Sequence, residues 1–191
     1  MKSALHFALP EWIAGAVEHC TENLASRESR MRFVLDLARQ NIKRQTGGPF
    51  AAAIFDDASR MVAVGVNMVE PGKCSLLHAE MVAIALAQQS TGRYDLSAGG
   101  RFDFELVTST EPCAMCLGAI PWSGISRLVC GAREDDARSV GFDEGNKPAD
   151  WPRLLEARGI HVIRELLRAE AAQVLTAYAE TGGHIYNAGG A

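Results

Sequence analysis

The sequence predicts an α/β domain in three layers, a mixed five-stranded sheet with helices on both faces. Three observations lead there. Segments of helical and strand-like periodicity alternate as helix, strand, strand, helix, strand, helix, strand, helices, strand, helix, an order that one helix-covered sheet accommodates. The last two strands, 127–132 and 161–165, are separated by a long stretch with helical patches, and a connection of that length crosses over, so the two run parallel. No repeat, low-complexity tract or linker interrupts the 191 residues, a length that suits one domain with a sizeable core.

Residues 1–25 read as an N-terminal appendage packed on the domain, and 26–191 as the domain with its C-terminal tail. In the appendage, Pro10 suits the first turn of a short helix whose apolar stripe is Trp12, Ile13, Ala16 and Val17, turned toward the domain surface or a partner subunit. The first core helix is predicted over 28–45, because Met31, Val34, Leu35, Ala38 and Ile42 recur at the spacing of one buried face. Gly47-Gly48-Pro49 ends it. Strands follow at 50–55 and 61–66, joined by the turn Asp56-Asp57-Ala58-Ser59-Arg60. A loop over 67–75, with Pro71 and Gly72, leads into a helix at 77–89 with Ala79, Val82, Ala83 and Leu86 on its apolar face. Residues 90–103 are a loop broken by Gly92 and Gly99-Gly100. A strand at 104–109 precedes a helix opened by Pro112 and running to 122. After strand 127–132 come helical patches at 135–140 and 151–157, strand 161–165, and a helix at 166–180 presenting Leu167, Ala171, Val174, Leu175 and Tyr178. The glycine-rich tail reads as irregular.

Composition narrows the function. Apolar residues make up 48% and charged residues 22%, ordinary globular values. No apolar run approaches the roughly 18–20 residues that span a bilayer, so no membrane partner is expected. The net charge is −4 with a pI of about 5.7, and basic residues between 27 and 44 lie among acids or at helical spacing. Without a basic stripe, nucleic acid is not an expected partner. The first twenty residues lack a clean signal-peptide core, which implies a cytoplasmic location. Five cysteines, an odd number, argue against a disulfide framework. Cys20, Cys74 and Cys130 read as buried thiols, with Cys74 the alternative as a fourth metal ligand near His78.

The chemistry is concentrated in His78-Ala79-Glu80 and Glu111-Pro112-Cys113-Ala114-Met115-Cys116. Structural zinc sites are closed by four protein ligands, whereas catalytic ones use three and leave a position open. His78, Cys113 and Cys116 therefore suggest one Zn²⁺ per subunit in an open site, with Glu80 as the nearby proton carrier. Each stretch opens a predicted helix, where free N–H groups favour thiolate over thiol. Cys113 and Cys116, an i, i+3 pair, point to one side. Alone, C-x-x-C fits a redox pair or half a structural site, and H-x-E is nearly uninformative; together they are specific.

H-x-E followed by P-C-x-x-C resembles the signature of the zinc deaminases that act on nucleobases. Gly47-Gly48-Pro49-Phe50, Asn67, Thr108 through Ile120, and Gly141-Phe142-Asp143-Glu144 are similar to the bacterial guanine deaminases of the cytidine/deoxycytidylate deaminase superfamily, a likeness running from Gly47 to Ala188. Ala51-Ala52 and the N-terminal segment depart from that pattern. The resemblance implies a cytidine-deaminase-like fold, a homodimer, a small purine base as substrate, and conversion of guanine to xanthine and ammonia. The alternatives are another aminated ring (a purine nucleoside, cytosine, an amino-triazine such as ammeline, or transfer-RNA adenosine) and an inactive zinc-stabilised scaffold. By position it implies that Glu80 and Glu144 are catalytic and that Asn67 hydrogen-bonds the ring, as an amide that donates and accepts can. Phe50 would flank the base or serve the core, and the Ala79 N–H would touch substrate. Asp143 would stand beside Glu144 at the ring edge, or both acids lie on a solvated loop. Trp122 would line the pocket or serve the core or an interface. Tyr186 would close over the base or belong to a mobile end.

Overall fold

A computed structural model describes residues 6–20 and 24–187. The parts of the predicted appendage at 1–5 and 21–23, and the tail end at 188–191, lie outside the described residues. In chain order the elements are α1 (Trp12–Cys20), α2 (Arg27–Lys43), β1 (Ala51–Asp56), β2 (Met61–Val66), α3 (Val69–Gly72), α4 (Ala79–Thr91), β3 (Phe104–Thr110), α5 (Ala114–Ser123), β4 (Arg127–Ala132), α6 (Glu134–Ser139), α7 (Trp151–Glu156), β5 (His161–Ile163) and α8 (Arg168–Glu180).

The strands form one mixed sheet in the order β2-β1-β3-β4-β5. β1 pairs antiparallel with both β2 and β3, while β3, β4 and β5 run parallel. Successive side chains on a strand point to opposite faces, and the core divides accordingly. Ala51, Ala53, Phe55, Val107 and Val129 face the layer that holds α2 and α8, against Met31, Val34, Leu35, Ala38, Ala171 and Val174. Ala52, Ile54, Leu106, Leu128 and Cys130 face Ala79, Ala83, Ile84, Ile120, Trp151 and Leu155 in the other layer. With helices on both faces, β3 is buried along its whole length.

The last strand is shorter than its sequence suggests. Pairing with β4 stops at Ile163, and Glu165 and Leu167 then take positive φ values of 65° and 55°, which bends the chain out of the sheet and into α8. The loop over 67–75 contains the short helix α3. In the first helix the apolar spacing locates Met31, Val34, Leu35 and Ala38, all fully buried, but also hides two buried polar residues, Arg30 and Asn41. In α1, Ile13 is buried in the main core and the Trp12 indole N–H donates to Thr46 Oγ1 at 3.1 Å.

Two features aim the fold at one sheet end. The parallel strands β3 and β4 both finish there, the usual place for a ligand crevice in such sheets. α4 lies unusually close to β2, because a Cβ on Gly65 would sit 2.1 Å from the Ala79 carbonyl oxygen. Only glycine permits that approach, and it brings the first turn of α4 to the end of β3.

Candidate active site

His78 is the N-cap of α4 and Cys113 the N-cap of α5. N-caps are usually Ser, Thr, Asp or Asn, whose side chains turn back onto the helix N–H groups. Neither His78 nor Cys113 does so, which frees both for another partner. Cys116, in the first turn of α5, is fully buried. The Nδ1 of His78 lies 3.5 Å from the Cys113 Sγ, and the ligand atoms of His78, Cys113 and Cys116 all lie within 4.8 Å of one another. Zinc bonds of about 2.3 Å to sulfur and 2.0–2.1 Å to nitrogen, at a tetrahedral angle, separate N and S ligands by roughly 3.6 Å. The donor types and spacing fit zinc. Cys74 does not join the cluster among the described residues, so three ligands are assembled.

Electrostatics concentrate here as well. Hydrogen bonds from Cys116 and His78 hold the Cys113 thiol down to about 4, and Cys116 is pushed up in turn by that shared proton and by burial. A largely buried His/Cys/Cys cluster, Cys116 fully and His78 and Cys113 partly, that carries thiolate charge calls for a cation. Glu80 is 6% exposed, with Oε1 accepting from Thr108 Oγ1 at 3.3 Å and Oε2 accepting from Cys116 Sγ at 3.5 Å. Burial, with the Cys113 charge behind it, raises its carboxyl above the ordinary range. Glu144 is 5% exposed, and burial, then Cys113, pushes it up to about 8. Two carboxyls raised above the ordinary range thus stand near one metal cluster.

His78, Cys113, Glu80 and Glu144 share a cavity of about 310 Å³, also lined by Phe50, Asn67, Ala79, Asp143 and Tyr186, with Cys116 buried behind it. Asn67 is buried at the end of β2, held by its backbone N–H to the Phe50 carbonyl at 2.9 Å and by Asn41 Nδ2 to its own carbonyl at 2.9 Å. Its Oδ1 accepts from the Val69 N–H at 3.3 Å, leaving its buried Nδ2 without a partner. The Tyr186 hydroxyl is likewise buried and unpaired. Asp143 stands at the more exposed edge of the cavity and turns its Oδ1 to the Gly145 N–H at 2.9 Å.

Trp122 is a correction: it does not line this cavity and is 83% exposed. At about 100° and 1.5 Å per residue, the nine steps from Cys113 carry it to the opposite side of α5 and roughly 13 Å along the axis. Several cavity residues had not been singled out for the site. Phe142 packs edge-on against Phe50 at 4.8 Å and Tyr186 at 5.5 Å. Asn187 accepts from the Asp143 N–H at 2.9 Å and donates to the Gly141 carbonyl at 2.8 Å, tying the tail to the Glu144 loop. Thr108, behind the cavity wall, carries the hydrogen bond to Glu80. The signal for Phe142 was its place in Gly141-Phe142-Asp143-Glu144, and for Thr108 its place at the start of the stretch running to Ile120; Asn187 carries none that sequence alone exposes.

Comparison with known proteins agrees with this geometry. Residues 24–132 match the family model described as the cytidine and deoxycytidylate deaminase zinc-binding region. The guanine deaminase of Bacillus subtilis (strain 168) is 35% identical over 131 residues, covering 65% of this chain and 80% of the relative. A solved structure of the guanine deaminase from Nitrosomonas europaea is 48% identical with a TM-score of 0.86, covering 94% of this chain and 98% of that one. A structure of NE0047 in complex with 2,6-diaminopurine is 49% identical with a TM-score of 0.88, covering 98% and 99%. The three-ligand site, the mixed sheet and these matches lead to one assignment: the chain belongs to the zinc-binding cytidine and deoxycytidylate deaminase family.

Proposed function

We propose that this chain hydrolyses guanine to xanthine and ammonia, with one Zn²⁺ held by His78, Cys113 and Cys116. The observation that carries the reading is the cavity itself. It joins the metal cluster and Glu80 to aromatic walls (Phe50, Phe142 and Tyr186) and to the unpaired buried amide of Asn67. A planar aromatic ring with hydrogen-bonding edges suits that lining. The guanine deaminases of Bacillus subtilis and Nitrosomonas europaea, and NE0047 with its bound diaminopurine, support the choice of purine.

Zinc in this site supplies Lewis acidity that brings the pKa of a water toward ~7. The remaining work falls to side chains. Asn67 donates its free Nδ2–H to an acceptor on the purine edge, since its Oδ1 is taken by Val69. Phe50 and Phe142 flank the ring, the Ala79 N–H faces the substrate, and Asp143 keeps the Glu144 loop folded through Gly145. Glu80 takes a proton from the attacking water and delivers it to the ring nitrogen beside the amine-bearing carbon, as the C–O bond forms and that carbon becomes tetrahedral. Glu144 then gives its proton to the amine as the C–N bond breaks. Ammonia leaves, and the new hydroxyl returns its proton to the carboxylate while becoming the carbonyl. Raised carboxyl pKa values suit both tasks.

A free base fits a cavity of about 310 Å³ and the net charge of −4 better than a polyanion. The reading includes a reducing, cytoplasmic setting, in keeping with thiolate ligands and with described cysteines that are all free. It includes a homodimer too: Trp122 and Leu76 leave 83% and 52% of their surface exposed, apolar area that a second copy would cover. Sedimentation at low micromolar concentration checks this; a monomer there would contradict it. The substrate is tested by ammonia release from zinc-loaded protein over guanine, guanosine, adenine, cytosine, ammeline and transfer RNA. Guanine should dominate. Preference for a nucleoside or triazine would overturn the substrate while keeping the chemistry, and silence with zinc bound would favour a scaffold.

A further inference from the structure

Lys147 is a buried cation that the chemistry above does not use. Its side chain is 2% exposed, and lysine is almost never fully buried without a partner. Its Nζ donates to the Pro112 carbonyl at 2.7 Å, pairs with Glu134 Oε2 at 2.9 Å, and lies 5.6 Å from the centre of the Trp151 ring. Taking an ammonium out of water is costly, and an apolar side chain of similar length would pack there more cheaply. What the ammonium touches is therefore informative.

Pro112 immediately precedes the ligand Cys113. On the other side of Cys113, the Ala114 N–H donates to the Glu144 carbonyl oxygen at 2.9 Å. The loop carrying Glu144 thus grips the chain on both sides of a metal ligand, once through its backbone and once through Lys147. Gly145 backs onto α5 so closely that a Cβ there would lie 2.9 Å from the Ala114 Cβ. From the far side, Arg138 Nη2 donates to the Gly145 carbonyl at 2.6 Å. Glu111, one residue before Pro112, is fixed in turn by Arg164 Nε at 2.6 Å and by the Glu134 N–H at 3.1 Å. Glu134 therefore meets both ends of the clamp: its backbone holds Glu111 and its carboxylate holds Lys147.

We propose that Lys147 is a positioning residue for the reaction: by holding the Pro112 carbonyl against the Glu144 loop, it fixes Cys113 and Glu144 relative to each other. The inference rests on the deaminase reading of the site. Groups just outside a metal's ligands commonly change metal affinity or activity by about 10–100-fold when removed. The test compares wild type, Lys147→Met, Lys147→Arg and Glu134→Gln as zinc-loaded full chains. Three quantities are read: kcat and KM on guanine, the rate of zinc transfer to a colorimetric chelator, and the thermal midpoint. Lys147→Met should lower kcat and accelerate zinc release by about tenfold each with KM little changed, and Lys147→Arg should recover part of both. Glu134→Gln, which keeps the ammonium but loosens its anchor, should move both in the same direction by less. A Lys147→Met that melts earlier yet keeps wild-type kcat and zinc release would overturn the proposal. Should that variant fail to fold, an unchanged Glu134→Gln would overturn it equally. Wild type that binds zinc but leaves guanine intact refutes the deaminase reading instead, and the zinc-release comparison still judges Lys147.

Discussion

Adding one methyl group at Gly48 should open the site without unfolding the domain. A Cβ there would lie 2.9 Å from Tyr186 Cε1, 3.0 Å from the Tyr186 hydroxyl and 3.3 Å from Asn67 Oδ1. Carbon atoms prefer separations of about 3.5–4.0 Å, so the tyrosine ring must retreat by roughly 0.6–1 Å. Gly48 is itself buried, its carbonyl held by Asn41 Nδ2 at 2.9 Å, so the glycine side of the contact is the stiffer one. Tyr186 belongs to a terminal segment held by the Asn187 hydrogen bonds, by Tyr178 Oη donating to the His184 carbonyl at 2.8 Å, and by the His184–Glu70 contact. That segment gives way first. Overpacking costs about 1–3 kcal/mol, which at 1.36 kcal/mol per factor of ten is roughly 5–150-fold. Because the strain falls on the wall that covers the substrate, Gly48→Ala should raise KM for guanine within that range while the thermal midpoint barely moves. Steady-state kinetics in the Gly48→Ala, Tyr186→Ala and doubly substituted proteins provide the assay. In the Tyr186→Ala background the added methyl meets no ring, and its effect should vanish, a non-additivity expected only of residues in contact. If Gly48→Ala costs the same with and without Tyr186, the steric account is wrong.

Other consequences are equally specific. Arg30→Met removes the closest partner of the buried Glu105 carboxylate, a 2.6 Å contact, leaving Arg27 at 2.8 Å and Arg127 at 3.7 Å. Breaking a buried pair costs about 3–5 kcal/mol, and with remaining partners the low end applies. At roughly 2–4 °C per kcal/mol for a chain of this size, calorimetry should show the midpoint fall by about 6–12 °C with activity at room temperature kept; a shift within error would mean that the network contributes nothing. The Glu144 carboxyl, held near 8 by burial and then Cys113, is protonated below that pH and ionised above it. As the acid for the leaving amine it must be protonated, so kcat should decline as pH rises through about 8. Glu144→Gln should lose that alkaline limb along with about tenfold or more of kcat; an unchanged pH profile would remove Glu144 from the proton path.

Local signals carried much of this molecule. The two metal motifs each begin a helix, and α2, α4 and α8 show their buried stripes directly in apolar spacing. The parallel pairing of β4 and β5 follows from the length of the connection. What stayed hidden depends on contacts between distant segments. The placing of β1 between β2 and β3 is a choice of neighbours that no local period encodes. Arg30, Glu105, Glu111 and Lys147 look like ordinary surface charges until the partners that let them be buried are seen across the fold. Trp122 illustrates the opposite error, since nearness in sequence to Cys113 says little when nine residues of helix turn the side chain to the far side. Gly48 and Tyr186 are far apart in the chain, yet their contact decides how the cavity is walled.

The most direct test of the account is product analysis in ¹⁸O-labelled water for two zinc-loaded proteins, wild type and Glu80→Gln, with guanine as substrate. The substitution keeps the size of Glu80 and an acceptor for Thr108 Oγ1, so metal content and folding serve as internal controls. Wild type should yield one ammonia and one xanthine per guanine, with a single solvent oxygen in the xanthine. Glu80→Gln should retain zinc and lose about 10³-fold or more of the rate, the loss expected when a carboxylate serving two proton transfers is removed. Xanthine formed by Glu80→Gln at close to the wild-type rate, or xanthine without solvent oxygen, would contradict the hydrolytic mechanism assigned to this site.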